Sequence, residues 1–293
     1  MNRVTKKSES PLHSVTPLHL EESPNRALLL AKAFLKSGQY TVGDSLPPIT
    51  AHWDNLRVDP ADLKRYNTIC GFSANQLPAT YLWVRAFPLI MSVLVSDQFP
   101  LSAMGQVHLR NQISVLSPLD ITEKFSIAAA VDHSELSSKG LEWSMLISVM
   151  TNSQLVWSSR STFLSRCNTG IARDSKSLTE PHGESQQWHL PSNLGRRYGS
   201  ISGDYNPIHL SAISAKLFGF KRAIAHGMWS KARCLAAMDS GIPEAGYSVN
   251  VNFLKPVFLP SKVNFYSSLS EGQQEFSLFN SSGNQMHLQG SIS

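Results

Sequence analysis

The sequence has little cysteine and little charge. Its three cysteines, Cys70, Cys167 and Cys234, stand apart with no CxxC spacing. That excludes a disulfide scaffold and a cysteine-based zinc site, and it fits a reducing, cytoplasmic setting. No long, unbroken apolar run is present. The most apolar stretch, residues 82–95, contains Arg85 and Pro88. It is too short to span a bilayer and reads as a buried helix, so no membrane partner is expected. The first fifteen residues carry basic side chains with no apolar core behind them, so they do not read as a secretory signal. Charged residues make up only 16% of the chain, against 42% hydrophobic residues that include 13 Phe and 6 Trp. Wholesale disorder is thereby excluded. Acid is scarcer than base, and the net charge is +5, which suits an acidic partner. Nucleic acid is not expected, because the aromatics do not interleave with the bases and no nucleic-acid motif appears.

At 293 residues the chain has room for about two domains of ~150 residues each. Residues 1–25 read as a flexible tail and the polar stretch 168–189 as a linker. The two bodies, 26–167 and 190–293, contain an internal repeat. Pro60-Ala-Asp-Leu-Lys-Arg-Tyr66 precedes Gly71, and Pro191-Ser-Asn-Leu-Gly-Arg-Arg-Tyr198 precedes Gly203. Tyr and Gly are five apart in both copies. Each is followed by an apolar helical stretch, 79–97 or 211–240, and then by short alternating segments that read as strands. These are 121–132, 142–151 and 155–165 in the first body, and 263–269, 274–280 and 286–292 in the second. Each body is thus expected to be one longish helix covering an antiparallel meander, a duplicated α+β architecture.

The copies differ most just after the shared glycine. Gly71 is followed by Phe72 and no histidine; Gly203 is followed by Asp204-Tyr-Asn206-Pro-Ile-His209. Gly203 permits an unusual backbone angle, and Asn206-Pro207 fixes a turn. Asp204 and His209 can then face one space from either side. A carboxylate and an imidazole sharing a water form a competent acid–base pair. The plainer alternative is that Asp204 caps a helix. Seventeen residues after His209 comes Ala225-His226-Gly227-Met228, opening a second helical run. The backbone N–H of a glycine at a helix N-terminus suits a polarised carbonyl or oxyanion. His226 alone reads more readily as structural.

Residues 198–209, together with 225–228, resemble the hydratase-2 motif of the MaoC-like dehydratases, which include (R)-specific enoyl-CoA hydratases of the hot-dog superfamily. The first body resembles the same family more weakly, through Tyr40-Thr-Val-Gly-Asp44 and the repeat. The resemblance implies a tandem hot-dog, each half a curved antiparallel sheet wrapped round a long central helix. The first half would be degenerate and non-catalytic, and the second would carry the site. It further implies that Asp204 and His209 activate a water, that Asn206 supports them, and that the Gly227 N–H holds a thioester carbonyl. The reaction would be hydration of trans-2-enoyl thioesters or dehydration of (R)-3-hydroxyacyl thioesters, with no metal or redox cofactor. Coenzyme A or phosphopantetheine would enter only as part of the substrate. Some members place a small hydroxyl residue about two turns along the helix after the His-Gly pair; here that region reads Lys231-Ala-Arg-Cys-Leu235, bulkier and more basic.

Seven basic residues stand against Asp204 alone over residues 196–233, a charge suited to coenzyme A phosphates or an acidic acyl carrier protein. Lys221, Arg222 and Lys231 are the candidates for carrier phosphate, with His226 and Met228 near the substrate. A non-catalytic thioester-binding module and a thioesterase remain alternatives, and a chain holding two copies is expected to be either a monomeric pseudo-dimer or a homodimer.

Overall fold

A computed structural model describes residues 16–293 except 23, 74–75, 173–179, 239–240 and 271–272. The first half comprises β1 (Leu18–Leu20), α1 (Arg26–Leu35), β2 (Thr50–Arg57), α2 (Pro60–Cys70), α3 (Ala79–Val95), β3 (Val107–Val115), β4 (Lys124–Ser137), β5 (Gly140–Thr151) and β6 (Gln154–Ser165). The second comprises β7 (Glu184–Leu190), α4 (Leu194–Ser202), a 3₁₀ turn (Pro207–His209), α5 (Ala212–Lys216), α6 (Gly227–Ala237), β8 (Tyr247–Phe253), β9 (Ser261–Ser270), β10 (Gln273–Asn280) and β11 (Met286–Ile292).

All eleven strands form one sheet in the order β1-β2-β4-β5-β6-β3-β8-β11-β10-β9-β7. Leaving β1 aside, each half has the same topology: its first strand lies at the outer edge and its second at the centre. The halves meet where β3 pairs antiparallel with β8, with Ile113 opposite Val249 and Ser114 opposite Ser248. The two serine hydroxyls are 2.7 Å apart. The fold is the tandem α+β hot-dog, and one hydrophobic core runs through both halves.

The repeated signatures act as helix stops. Asp59 caps α2 by accepting from the Ala61 and Asp62 amides, with Pro60 at the first position, where its missing N–H costs nothing. Both α2 and α4 end on a left-handed glycine, Gly71 at φ 88° and Gly203 at φ 79°. A side chain there would be strained. α3 is buried along most of its length and lies against β2, β4 and β5.

Three sequence expectations need correction. The tail read at 1–25 lies outside the described residues up to 15, but Leu18–Leu20 adds a parallel edge strand to β2. The linker read at 168–189 ends earlier, because β7 begins at Glu184. β7 is an edge strand with only Trp188 and Leu190 buried, so its exposed residues resemble linker composition. The helix read over 211–240 is broken. α5 is five residues long, Gly219 turns the chain at φ 80°, and helix resumes only at Gly227. The intervening backbone bonds elsewhere: Ile224 N–H to Ile208 O at 3.0 Å and Ala225 N–H to Val257 O at 2.8 Å.

Candidate active site

The α4 helix delivers the chain to Gly203, and the left-handed turn there swings Asp204 into the interior. The Asn206 amide donates to Asp204 Oδ1 at 3.1 Å, and Asn206 Oδ1 accepts from the Ile208 amide at 3.4 Å. These short-range bonds hold residues 204–209 as one rigid turn. Asn206 therefore supports the loop through its own backbone and side chain.

His209 is 8% exposed. Its Nδ1–H donates to the Ile224 carbonyl at 2.8 Å, which leaves Nε2 with a free lone pair. That nitrogen lies 4.0 Å from Asp204 Oδ2. The separation exceeds a hydrogen bond but suits one water bonded to both. Burial lowers the His209 pKa from its ordinary value, against the opposing pull of Asp204, so the ring is a neutral base at neutral pH.

His226 is buried at the N-cap of α6. Its Nε2–H donates to the Asp204 carbonyl at 3.0 Å, and its ring stacks on His209 with centroids 3.7 Å apart. Burial, reinforced by His209, pushes its pKa down to about 3. It is a neutral post that fixes the Asp204 backbone and the His209 ring. Asp204, His209 and His226 bring donor atoms within 4.8 Å of one another. However, the His226 nitrogen facing Asp204 already commits its proton to a carbonyl. Gly227 opens α6 with no side-chain cap, so the first-turn amides of that helix lack intrahelical acceptors. Phe253 stands 3.2 Å from where a Cβ on Gly227 would lie.

These groups share a cavity of about 340 Å³ with Met228 and with apolar side chains of the first half, including Trp83, Phe87, Met91, Leu94 and Phe163. The cavity thus runs from the polar turn of one half along the central helix of the other.

Among the residues expected to meet the carrier, Lys221 and Arg222 are exposed; Arg222 donates to the Pro260 carbonyl at 3.0 Å. Lys231 does not fit that expectation. It is fully buried and donates to Asn111 Oδ1 at 2.6 Å, Asn111 O at 3.1 Å and Val249 O at 3.1 Å. On α6 its position faces the β3–β8 seam, so its stem and ammonium tie that helix to both halves. Burial alone drives its pKa well below the usual lysine value.

Several site-building residues went unseen in the sequence. A Cβ on Gly195 would sit 1.9 Å from the His209 carbonyl oxygen, and one on Gly199 2.8 Å from that of Asp204. These glycines let the 204–209 turn press against α4. Their signal was present: Gly195, Gly199 and Gly203 are four apart on one helical face. Arg26 of α1 reaches over Gly203, its Cδ 3.2 Å from where a Cβ would be, and lines the cavity. His108 of β3 also lines it, stacked against Trp83 and Phe163. Neither has a local sequence signal.

The MaoC-like domain family model matches residues 176–287. The 3-hydroxyacyl-thioester dehydratase X of Mycobacterium tuberculosis is 31% identical over 255 residues, covering 85% of this chain and 90% of that protein. The chain belongs to the MaoC-like dehydratase family. As a member of that family it is an enzyme of the hydratase and dehydratase type. The crystal structure of HtdX from Mycobacterium tuberculosis superposes with a TM-score of 0.73 at 30% identity, covering 83% of this chain and 98% of that one. A MaoC-like dehydratase from Phytophthora capsici shares the fold at TM-score 0.66 and 20% identity, covering 86% and 98%.

Proposed function

We propose that this MaoC-like enzyme reversibly hydrates trans-2-enoyl thioesters and dehydrates (R)-3-hydroxyacyl thioesters in fatty-acid metabolism, on either coenzyme A or a carrier protein. The observation that carries the reading is the 4.0 Å gap between His209 Nε2 and Asp204 Oδ2, with His209 held in the tautomer that presents a lone pair. A water in that gap donates to both groups. His209 takes one proton as the water oxygen bonds C3 of the enoyl chain. The C2–C3 π electrons move to the thioester carbonyl, which the Gly227 N–H receives. The proton then returns from the pair to C2 and the carbonyl re-forms. Dehydration is the reverse. The tail extends into the apolar cavity beside α3.

No metal or redox cofactor is needed for these steps. The water pair also favours lyase chemistry over the thioester-binding and thioesterase alternatives. An acyl-ACP thioesterase from Bacteroides thetaiotaomicron shares the fold at 10% identity and TM-score 0.52, which speaks to fold alone. No helix among the described residues is long and apolar enough to cross a membrane. Three free cysteines support placement in the cytoplasm. The two halves in one chain form the pair that a site of this kind needs, so a monomer suffices.

The purified protein should consume trans-2-butenoyl-CoA with loss of enoyl absorbance and give the (R)-3-hydroxy product, unaffected by a chelator. Release of free thiol without hydration would favour the thioesterase, and tight binding with no turnover the binding module.

A further inference from the structure

The cavity mouth is flanked by two elements that the chemistry does not use. On one side α1 contributes Arg26, Leu29 and Leu30 to the lining and turns Leu28 and Leu35 outward, at 56% and 86% exposed. On the other, α5 and the turn after it send Phe220 inward and leave Ile213 and Leu217 exposed at 80% and 82%. Phe34 and Phe218 meet across the two at 6.4 Å between ring centroids, so the lips are contiguous. Exposed aliphatic side chains thus stand on both lips, on either side of the Phe34–Phe218 contact, more than the singly scattered leucines of an ordinary surface. Residues 26–36 and 211–222 hold Arg26, Lys32, Lys36, Lys216, Lys221 and Arg222 and no acid. Lys36 turns inward to the Ser96 carbonyl and Arg222 to Pro260, while Lys32, Lys216 and Lys221 remain exposed.

Resting on the thioester-lyase reading, we infer that the α1–α5 lips are the docking surface for an acidic acyl carrier protein, which delivers its thioester arm into the cavity between them. The charge is complementary to such a partner. The exposed Leu28, Leu35, Ile213 and Leu217 would meet the apolar side chains of an amphipathic carrier helix. A coenzyme A nucleotide offers phosphates to the lysines but nothing to these four. A bilayer would meet both kinds of residue but would cover the mouth through which the arm must pass.

The test compares trans-2-butenoyl groups carried on an acidic carrier protein, on coenzyme A and on N-acetylcysteamine. A K32E/K216E variant and, separately, an L28S/L217S variant should each lower kcat/KM on the carrier protein about tenfold or more. Turnover of the N-acetylcysteamine thioester should stay within twofold, which also verifies folding. Affinity for a butyryl carrier protein, which cannot react, should fall in parallel and so reads the surface even if the lyase reading fails. Equal losses on coenzyme A would make the lips a nucleotide site and overturn the proposal. So would unchanged carrier affinity in both variants. Binding to vesicles of mixed zwitterionic and anionic phospholipid that L28S/L217S abolishes while carrier affinity persists would assign the patch to lipid and overturn it equally.

Discussion

The two halves share a topology and a helix–glycine stop, yet only one turn after that stop is built for chemistry. In the second half Gly195 and Gly199 admit the turn against α4, and Asp204 and His209 face each other across a water-sized gap. In the first half the residues equivalent by alignment on the tyrosines are Leu63 and Asn67. Asn67 spends its side chain on the turn, donating to the Ser73 and Gln76 carbonyls at 2.8 and 2.7 Å. Phe72 replaces Asp204 and lies against Tyr66. Pro78 and Ala79 stand at the helix start where the second half has His226 and Gly227. A cavity of about 380 Å³ persists there, lined by Phe72, Pro78, Ala79 and Leu235 among others. A hollow at this position is therefore a product of the fold, whereas the Asp204–His209 pair and the glycine that opens α6 belong to the second half alone among the described residues. The first half instead supplies the α3 wall along which the tail would lie.

The largest effect should separate the two turns. D204N or H209A should each lower kcat for enoyl hydration about a thousandfold, while F72A at the matching place should leave it within a few-fold. Comparable losses in all three would break the division of labour. Next comes the glycine contrast. G195A drives a methyl group into the His209 carbonyl, so activity should fall at least tenfold with the turn displaced. L63A in α2 removes a side chain that is 2% exposed and should cost about 2–5 kcal/mol in stability while sparing kcat on the short substrate at permissive temperature. Thermal melts beside rate assays would read both.

A bulkier wall in the first half should sharpen the assignment of the tail. M91W should reduce kcat/KM for a long enoyl chain about tenfold with the four-carbon substrate little changed. Equal losses on both would remove the tail from this wall.

The buried imidazoles give a pH signature confined to the cavity. His209 and His226 have folded pKa values below the ordinary 6.5, so both states are neutral above that pH and the unfolded chain gains protons first below it. Stability should fall as pH drops from 6.5 toward the value near 3 of His226, each such histidine steepening the slope by about 1.4 kcal/mol per unit. H226Q should flatten the dependence in urea titrations at a series of pH values. The smallest effect belongs to the seam. K231A strands Asn111 Oδ1 without its donor, at about 1–3 kcal/mol, and leaves a void as well, whereas K231M strands the same oxygen but fills the space, so it should lie nearer the parent.

Much of this was legible in the chain. The strand segments, the α3 helix and the Asp204–His209 turn are local patterns of alternation, capping and turn chemistry. The inward burial of Lys231 was not, because a basic residue in a basic stretch looks solvated until Asn111 and Val249 arrive from strands far away in sequence. Arg26 and His108 reach the cavity by tertiary placement alone. The split between α5 and α6 was hidden because residues 223–225 make their backbone hydrogen bonds with Ile208, Val257 and Leu259 and the bridge to Phe258, none of which a helical pattern reveals.

The β3–β8 seam has a consequence for how such a site can change. Two identical subunits joined along this edge would be bound by symmetry: every substitution would appear twice, and a residue placed to widen one tail wall would also alter the turn region of its twin. Encoding both sides of the seam in one chain releases that constraint. Phe72 and Asp204 can occupy equivalent places at once, and the wall and the water pair can be tuned independently.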